Sequence, residues 1–134
     1  MKRFLLSLAI CLYFVNPSLG QNSKIESIKI AYLTEKLNLS TEEAQRFWPV
    51  YNSYQQELRV LLIKRNKQRK SLSSQSEPVT DELEIDSDIL QLRKRYRLKF
   101  QDVLPKEKAA IVYSAEREFR QQLIEQLNKR KQKN

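Results

Sequence analysis

The side chains that could do acid–base chemistry in this sequence are carboxylates: there are 16 Asp and Glu residues and no histidine. Adjacent pairs such as Asp81/Glu82 have the residue types of a general acid/base dyad. Such a dyad needs surroundings that drive its pKa values apart, and no apolar run encloses Asp81 and Glu82. They follow Thr80, which suits a helix N-cap. They read instead as negative charge at the positive end of a helix dipole. The single cysteine, Cys11, and the single methionine, Met1, fall in an N-terminal leader. Without that leader the chain has no His, Cys or Met. Serine–histidine and cysteine–histidine nucleophiles, zinc-hydrolase sites and disulfides are then excluded. Only carboxylate and carbonyl oxygens remain as metal ligands, which rules out a soft-metal ion. The sequence points to no cofactor and no catalytic residue, so the chemistry to look for is recognition.

Recognition chemistry concentrates between Leu39 and Lys70. Leu39, Ser40 and Glu43 have capping-box spacing: the Ser40 hydroxyl can accept from the Glu43 amide while the Glu43 carboxylate accepts from the Ser40 amide. Ala44, Phe47 or Trp48, Tyr51 and Tyr54 then recur at steps of three and four, one stripe of a helix. Phe47 and Tyr51 occupy the inner stripe, which leaves Trp48 as the better surface candidate. A basic run follows, from Arg59 through Lys64, Arg65, Lys67, Arg69 and Lys70. Trp48, Tyr51, Tyr54, Arg59, Lys64 and Arg65 are the candidate partner-binding residues. Aromatic residues at helical spacing also build cores, and a basic helix end also complements the negative helix terminus. Both readings stand at this point.

Four helices are expected to position these residues. Met1 to Gly20 reads as a secretory signal peptide. Lys2 and Arg3 precede a 12-residue apolar run, Phe4 to Val15, and Ser18 and Gly20 supply small residues for cleavage before Gln21. The run is short for a bilayer, which takes about 20 residues. The mature chain, 21–134, keeps 23 basic residues against 16 acidic ones, a formal charge of +7. Its first helix spans Lys24 to Leu37, with Ile25, Ile28, Tyr32, Leu33 and Leu37 on one stripe. The second runs from Thr41 to about Lys70 and contains Pro49. Because the apolar spacing keeps its phase across Pro49, the expectation is a kinked helix rather than a break. A kink beside Phe47, Trp48 and Tyr51 would give a concave face. Ser71 to Val79 is the loop. The third helix, Asp81 to Leu104, carries Ile85, Ile89, Leu92, Tyr96, Phe100 and Val103. Its acidic start would lie beside the basic end of the second helix in an antiparallel hairpin. The fourth runs from Pro105 to about Lys129, with Ala109, Val112, Phe119, Leu123 and Leu127 as its stripe and Glu116 at the stripe's edge. Residues 128–134 form a basic tail expected to fray. The fold class is all-α, in antiparallel hairpins. A four-helix bundle and a thinner bent assembly closed as a homodimer fit equally well.

Leu39-Ser40-Thr41-Glu42-Glu43 resembles the Leu-Thr-x-x-Gln (LTxxQ) motif of the periplasmic Spy/CpxP group, with Ser40 for the Thr and Glu43 for the Gln. A second copy would fall at Leu104-Pro105-Lys106-Glu107-Lys108, where Pro105 and Lys108 depart from the pattern. The longer strings LNLSTEEAQRFWPVYNSY and VLPKEKAAIVYSAEREFRQQL are similar to small secreted proteins identified as sensors of ECF-type sigma factors. The resemblance implies a periplasmic, non-enzymatic helical protein linked to envelope stress. Its partner would be a membrane-bound signalling protein, or, as in Spy-like chaperones, an unfolded client.

Two other classes are weaker. Basic helices with tyrosines can bind nucleic acid. Here acidic residues interrupt the field, and the leader directs the chain out of the cytoplasm. Attachment to an anionic membrane surface through 64–70 and 129–133 is the other.

Overall fold

The computed structural model describes residues 17–72 and 80–133, with side chains over 23–71 and 83–133. Their regular structure is helical throughout: α1 Pro17–Lys36, α2 Thr41–Leu72, α3 Thr80–Val103, α4 Lys106–Ala110 and α5 Val112–Gln132. Most of the expected leader, and most of the expected 71–79 loop, lie outside the described residues. No helix among the described residues is long and apolar enough to cross a membrane.

The chain divides into two compact units, one ending at Ala31 and one beginning at Tyr32. The first contains most of α1, which is already helical before Lys24. Lys29 pairs with Glu26 at 2.9 Å, one turn apart. Ile25 and Ile28, expected on a buried stripe, are 37% and 49% exposed.

The second unit has an aromatic core. Phe47, Tyr51, Tyr54 and Leu58 of α2 are buried against Ile85, Ile89, Leu92, Tyr96 and Phe100 of α3. The pairing is antiparallel: Phe47 meets Phe100 with ring centroids 5.5 Å apart, and Tyr54 meets Tyr96 at 5.3 Å. Val112, Ala115 and Phe119 of α5 are buried as well, as are Leu33 and Leu37 at the end of α1. Each large apolar side chain so buried contributes about 1.5–3 kcal/mol from area removed from water. The expected charge match along the hairpin is seen at Arg65 and Asp86, 3.4 Å apart.

Two sharp turns set the geometry. Asn38 has φ 46°, a left-handed conformation that asparagine tolerates. The Asn38 amide donates to the Glu35 carbonyl at 2.9 Å and the Leu39 amide to the Thr34 carbonyl at 3.0 Å. That is a Schellman ending, which satisfies the last carbonyls of α1. Ser40 then starts α2 with the expected capping box: its amide donates to Glu43 Oε2 at 2.9 Å, and the Glu43 amide donates to Ser40 Oγ at 3.1 Å. The helix runs from there through Pro49 to Leu72 without interruption, as the unchanged apolar phase requires.

The expected fourth helix is two. Ile111 leaves helical geometry (φ −102°, ψ 2°), and its amide bonds one residue too tightly, to the Lys108 carbonyl at 3.3 Å. Its carbonyl accepts from the Ala115 amide at 2.9 Å and so begins α5. Five helices are therefore found among the described residues where four were expected. The last of them continues to Gln132, so most of the expected frayed tail is helical. Its Lys, Arg and Gln residues favour helix, and Lys129, Arg130 and Lys131 complement the negative terminus.

Candidate functional site

The partner-binding residues expected from the sequence separate into three environments. Trp48 is half-buried, edge-on to Phe47 and Tyr51 with centroids 5.0 and 5.5 Å away. With Leu39, Ala44 and Pro49 it lines a shallow depression of about 520 Å³ at the start of α2, apolar in its greater part. Arg59 and Lys64 are exposed on α2. Arg59 lies on the Trp48 side of the helix, eleven residues or roughly 16 Å along.

Tyr51 and Tyr54 are the correction: both are fully buried. Their rings sit between α2, α3 and α5, where Tyr54 stacks against Tyr96 and Tyr113 at 5.3 and 5.5 Å. α3 and α5 both pack on that side of α2, so its tyrosines become core while the adjacent Trp48 stays at the rim. Arg65 is half-buried beside Asp86.

Burying tyrosines brings polar atoms inside, and α5 answers them. Glu116, expected at the edge of its stripe, is only 6% exposed. Its Oε1 accepts from the Tyr51 hydroxyl at 3.1 Å and from Gln55 Nε2 at 2.5 Å. The Tyr113 hydroxyl donates to the Arg93 carbonyl at 2.8 Å. Burial above all, then Tyr54 and Glu116, pushes the Tyr113 phenol well above its ordinary value. The Tyr54 hydroxyl is buried and has no hydrogen-bond partner in bonding geometry. Burial and the Glu116 charge raise its pKa, and Arg93 and Arg120 offset part of that rise.

Around this cluster runs a cleft lined by arginine. One part, about 350 Å³, is bounded by Arg93, Tyr113, Glu116, Arg117 and Arg120. The adjoining part, about 480 Å³, shares Arg93 and Arg120 and adds an apolar floor of Leu58, Leu62 and Ile89. Arg65 and Asp86 stand at its far wall. Sequence reasoning singled out neither Arg93 nor Arg120. The signal was available at Glu116, a carboxylate in phase with Val112 and Phe119. A charge at a core position needs partners, and cations one turn away on α5 are natural ones.

Lys108, a departure from the expected second motif, has a definite place. Its ammonium lies 2.6 Å from Glu43 Oε2 and also donates to the Asn38 carbonyl. That ion pair, with the Ser40 amide next in weight, holds the Glu43 carboxyl below the usual carboxylate range. One α4 side chain thus ties the Schellman turn to the capping box. Nearby, Glu118 of α5 pairs with Lys36 at 2.7 Å and accepts from the Tyr32 hydroxyl at 3.2 Å. Lys36 keeps the Glu118 carboxyl low.

Among the described residues no group of three or more His, Cys, Asp and Glu side chains is placed to hold a metal ion. What the second unit offers chemically is an apolar depression at one end of α2 and a guanidinium-lined cleft toward the other. Compared with known proteins, the chain matches no family model, no curated protein and no solved structure.

Proposed function

We propose that this chain is a non-enzymatic periplasmic envelope-stress protein. It acts as a sensor or signalling accessory of the ECF sigma-factor type and binds a protein partner through the depression around Trp48. The observation that carries the reading is the placement of Trp48 and Leu39. Both are half-buried and line one apolar hollow beside the capping box. An amphipathic aromatic at the rim of such a hollow is what a partner's apolar side chain can cover. The leader read over Met1–Gly20 supports export, and the resemblance of residues 39–43 to the Leu-Thr-x-x-Gln motif supports the stress link. In this reading the hairpins form a bent cradle or thin bundle of the Spy/CpxP kind, acting alone or as a homodimer.

The test is a photo-crosslinking amino acid in place of Trp48, in cells, followed by fractionation. The expected product is an adduct with a membrane-bound signalling protein, formed by chain that has lost its leader. Adducts confined to cytoplasmic proteins, or chain recovered with its leader intact, would overturn the reading.

A second reading, an ATP-independent chaperone, is favoured by the outward face of α3. Leu83, Leu90 and Leu98 are 78%, 51% and 63% exposed there. Scattered apolar contacts within a cationic field suit loose, salt-sensitive holding of unfolded chains. Suppression of aggregation of a denatured client, weakening with salt, is its expected signature.

A further inference from the structure

We propose that the cleft bounded by Arg93 and Arg120 is a second recognition site, which takes a carboxylate-bearing, aliphatic-flanked segment of a partner protein.

Arg93, Arg117 and Arg120 make no ion pair among the described residues, although Glu116 is close by and already occupied by Tyr51 and Gln55. Guanidinium groups without a carboxylate partner around a concave surface are poised to hold a carboxylate by paired N–H donors. The adjoining floor of Leu58, Leu62 and Ile89 is apolar. The occupant must therefore be acidic and aliphatic within a few ångströms, which a short peptide run of Glu or Asp beside Leu or Ile supplies.

One buried atom points the same way. Arg65 Nε, on the cleft wall, is buried and lacks an acceptor. Leaving such a group unsatisfied is costly, and an arriving carboxylate is an acceptor for it.

The walls also carry Asp86 and Glu116, so an entering anion meets four arginines against two carboxylates. Inorganic phosphate can use those guanidinium groups but has no apolar part to cover the floor of Leu58, Leu62 and Ile89. The site therefore favours an acidic peptide with aliphatic residues over inorganic phosphate.

The identity of the ligand as a protein segment rests on the partner-binding reading above; the anion preference does not. The experiment uses the mature chain and a fluorescein-labelled peptide of alternating Leu and Glu, followed by fluorescence anisotropy. Analogues with Glu→Gln and with Leu→Ser are the controls. Binding is expected to weaken as salt rises and to need both residue types. The R93Q/R120Q double variant is expected to weaken it tenfold or more, since hydrogen bonds to charged groups are lost. Arg117→Gln, at an exposed side chain, tests the same cleft without touching the core and is expected to weaken it severalfold.

Unchanged affinity in Arg117→Gln and in a folded R93Q/R120Q variant would overturn the proposal. So would displacement of the peptide by equimolar inorganic phosphate, or tighter binding to anionic phosphatidylglycerol vesicles. A parent chain that forms the Trp48 adduct but does not bind the peptide would sink this site and leave the proposed function standing.

Discussion

Glu43 and Lys108 stand 65 positions apart in sequence, yet their carboxylate and ammonium meet at 2.6 Å. Glu43 is also the closing residue of the capping box, so one carboxylate both starts α2 and receives α4. The contact joins two turns that local rules alone would leave independent.

Removing the cap shows how much of that joint is local. Ser40→Ala is expected to cost about 1 kcal/mol, the usual value of a serine N-cap. For a domain of this size that is a fall of about 4–8 °C in Tm. Thermal unfolding followed by circular dichroism measures it; an unchanged Tm would mean that tertiary packing alone sets the start of α2.

The ion pair itself has a pH signature. Because the folded Glu43 pKa lies below its ordinary value of 4.5, its contribution is fully present above that pH. The contribution is lost as pH falls through the depressed folded value. Lys108→Met should therefore lower Tm at neutral pH, with the difference from the parent chain closing in acid. A difference that stays constant with pH would assign the effect of Lys108 to its contact with Asn38 rather than to charge.

Two neighbouring tyrosines should respond in opposite ways to loss of a hydroxyl. Tyr51→Phe deprives Glu116 of a donor and is expected to destabilise by about 1–3 kcal/mol. Tyr54→Phe removes a buried group without a partner and should leave stability unchanged or raise it. Denaturant midpoints of the two variants decide the matter; equal losses would show that the Tyr54 hydroxyl is satisfied in solution.

At high pH, Tyr96 should limit the fold. Burial first, and then the Glu57 carboxylate that accepts its hydroxyl at 2.5 Å, pushes its pKa up to about 12. A folded pKa above the ordinary 10.0 means that the stabilisation is complete below pH 10 and drains away as pH rises toward 12. Tyrosinate absorbance should accordingly rise together with loss of helix, and Glu57→Gln should shift Tyr96 titration to lower pH.

Much of the architecture was legible in the sequence because it is written locally. The capping box needs only Ser40 and Glu43 at the right spacing, and the core stripe of α3 needs only steps of three and four. The break at Ile111 had no such sign: Pro105 begins a helix readily, and nothing in Ala109–Val112 forbids its continuation. The place of Trp48 at the rim was legible because Phe47 and Tyr51 already fill the inner stripe. The full burial of both Tyr51 and Tyr54 was not, since it depends on which side α5 covers. Arg93 and Arg120 looked like solvated charges for the same reason, since their meeting is a product of helix packing and leaves no mark in either segment.

Pro49 carries one more consequence. Lacking an N–H, it cannot return the bond that the Gln45 carbonyl would receive in an unbroken ladder. Gln45 and Pro49 both border the Trp48 hollow. The proline thus places a gap in the backbone hydrogen-bond ladder at the edge of the apolar hollow that Trp48 lines.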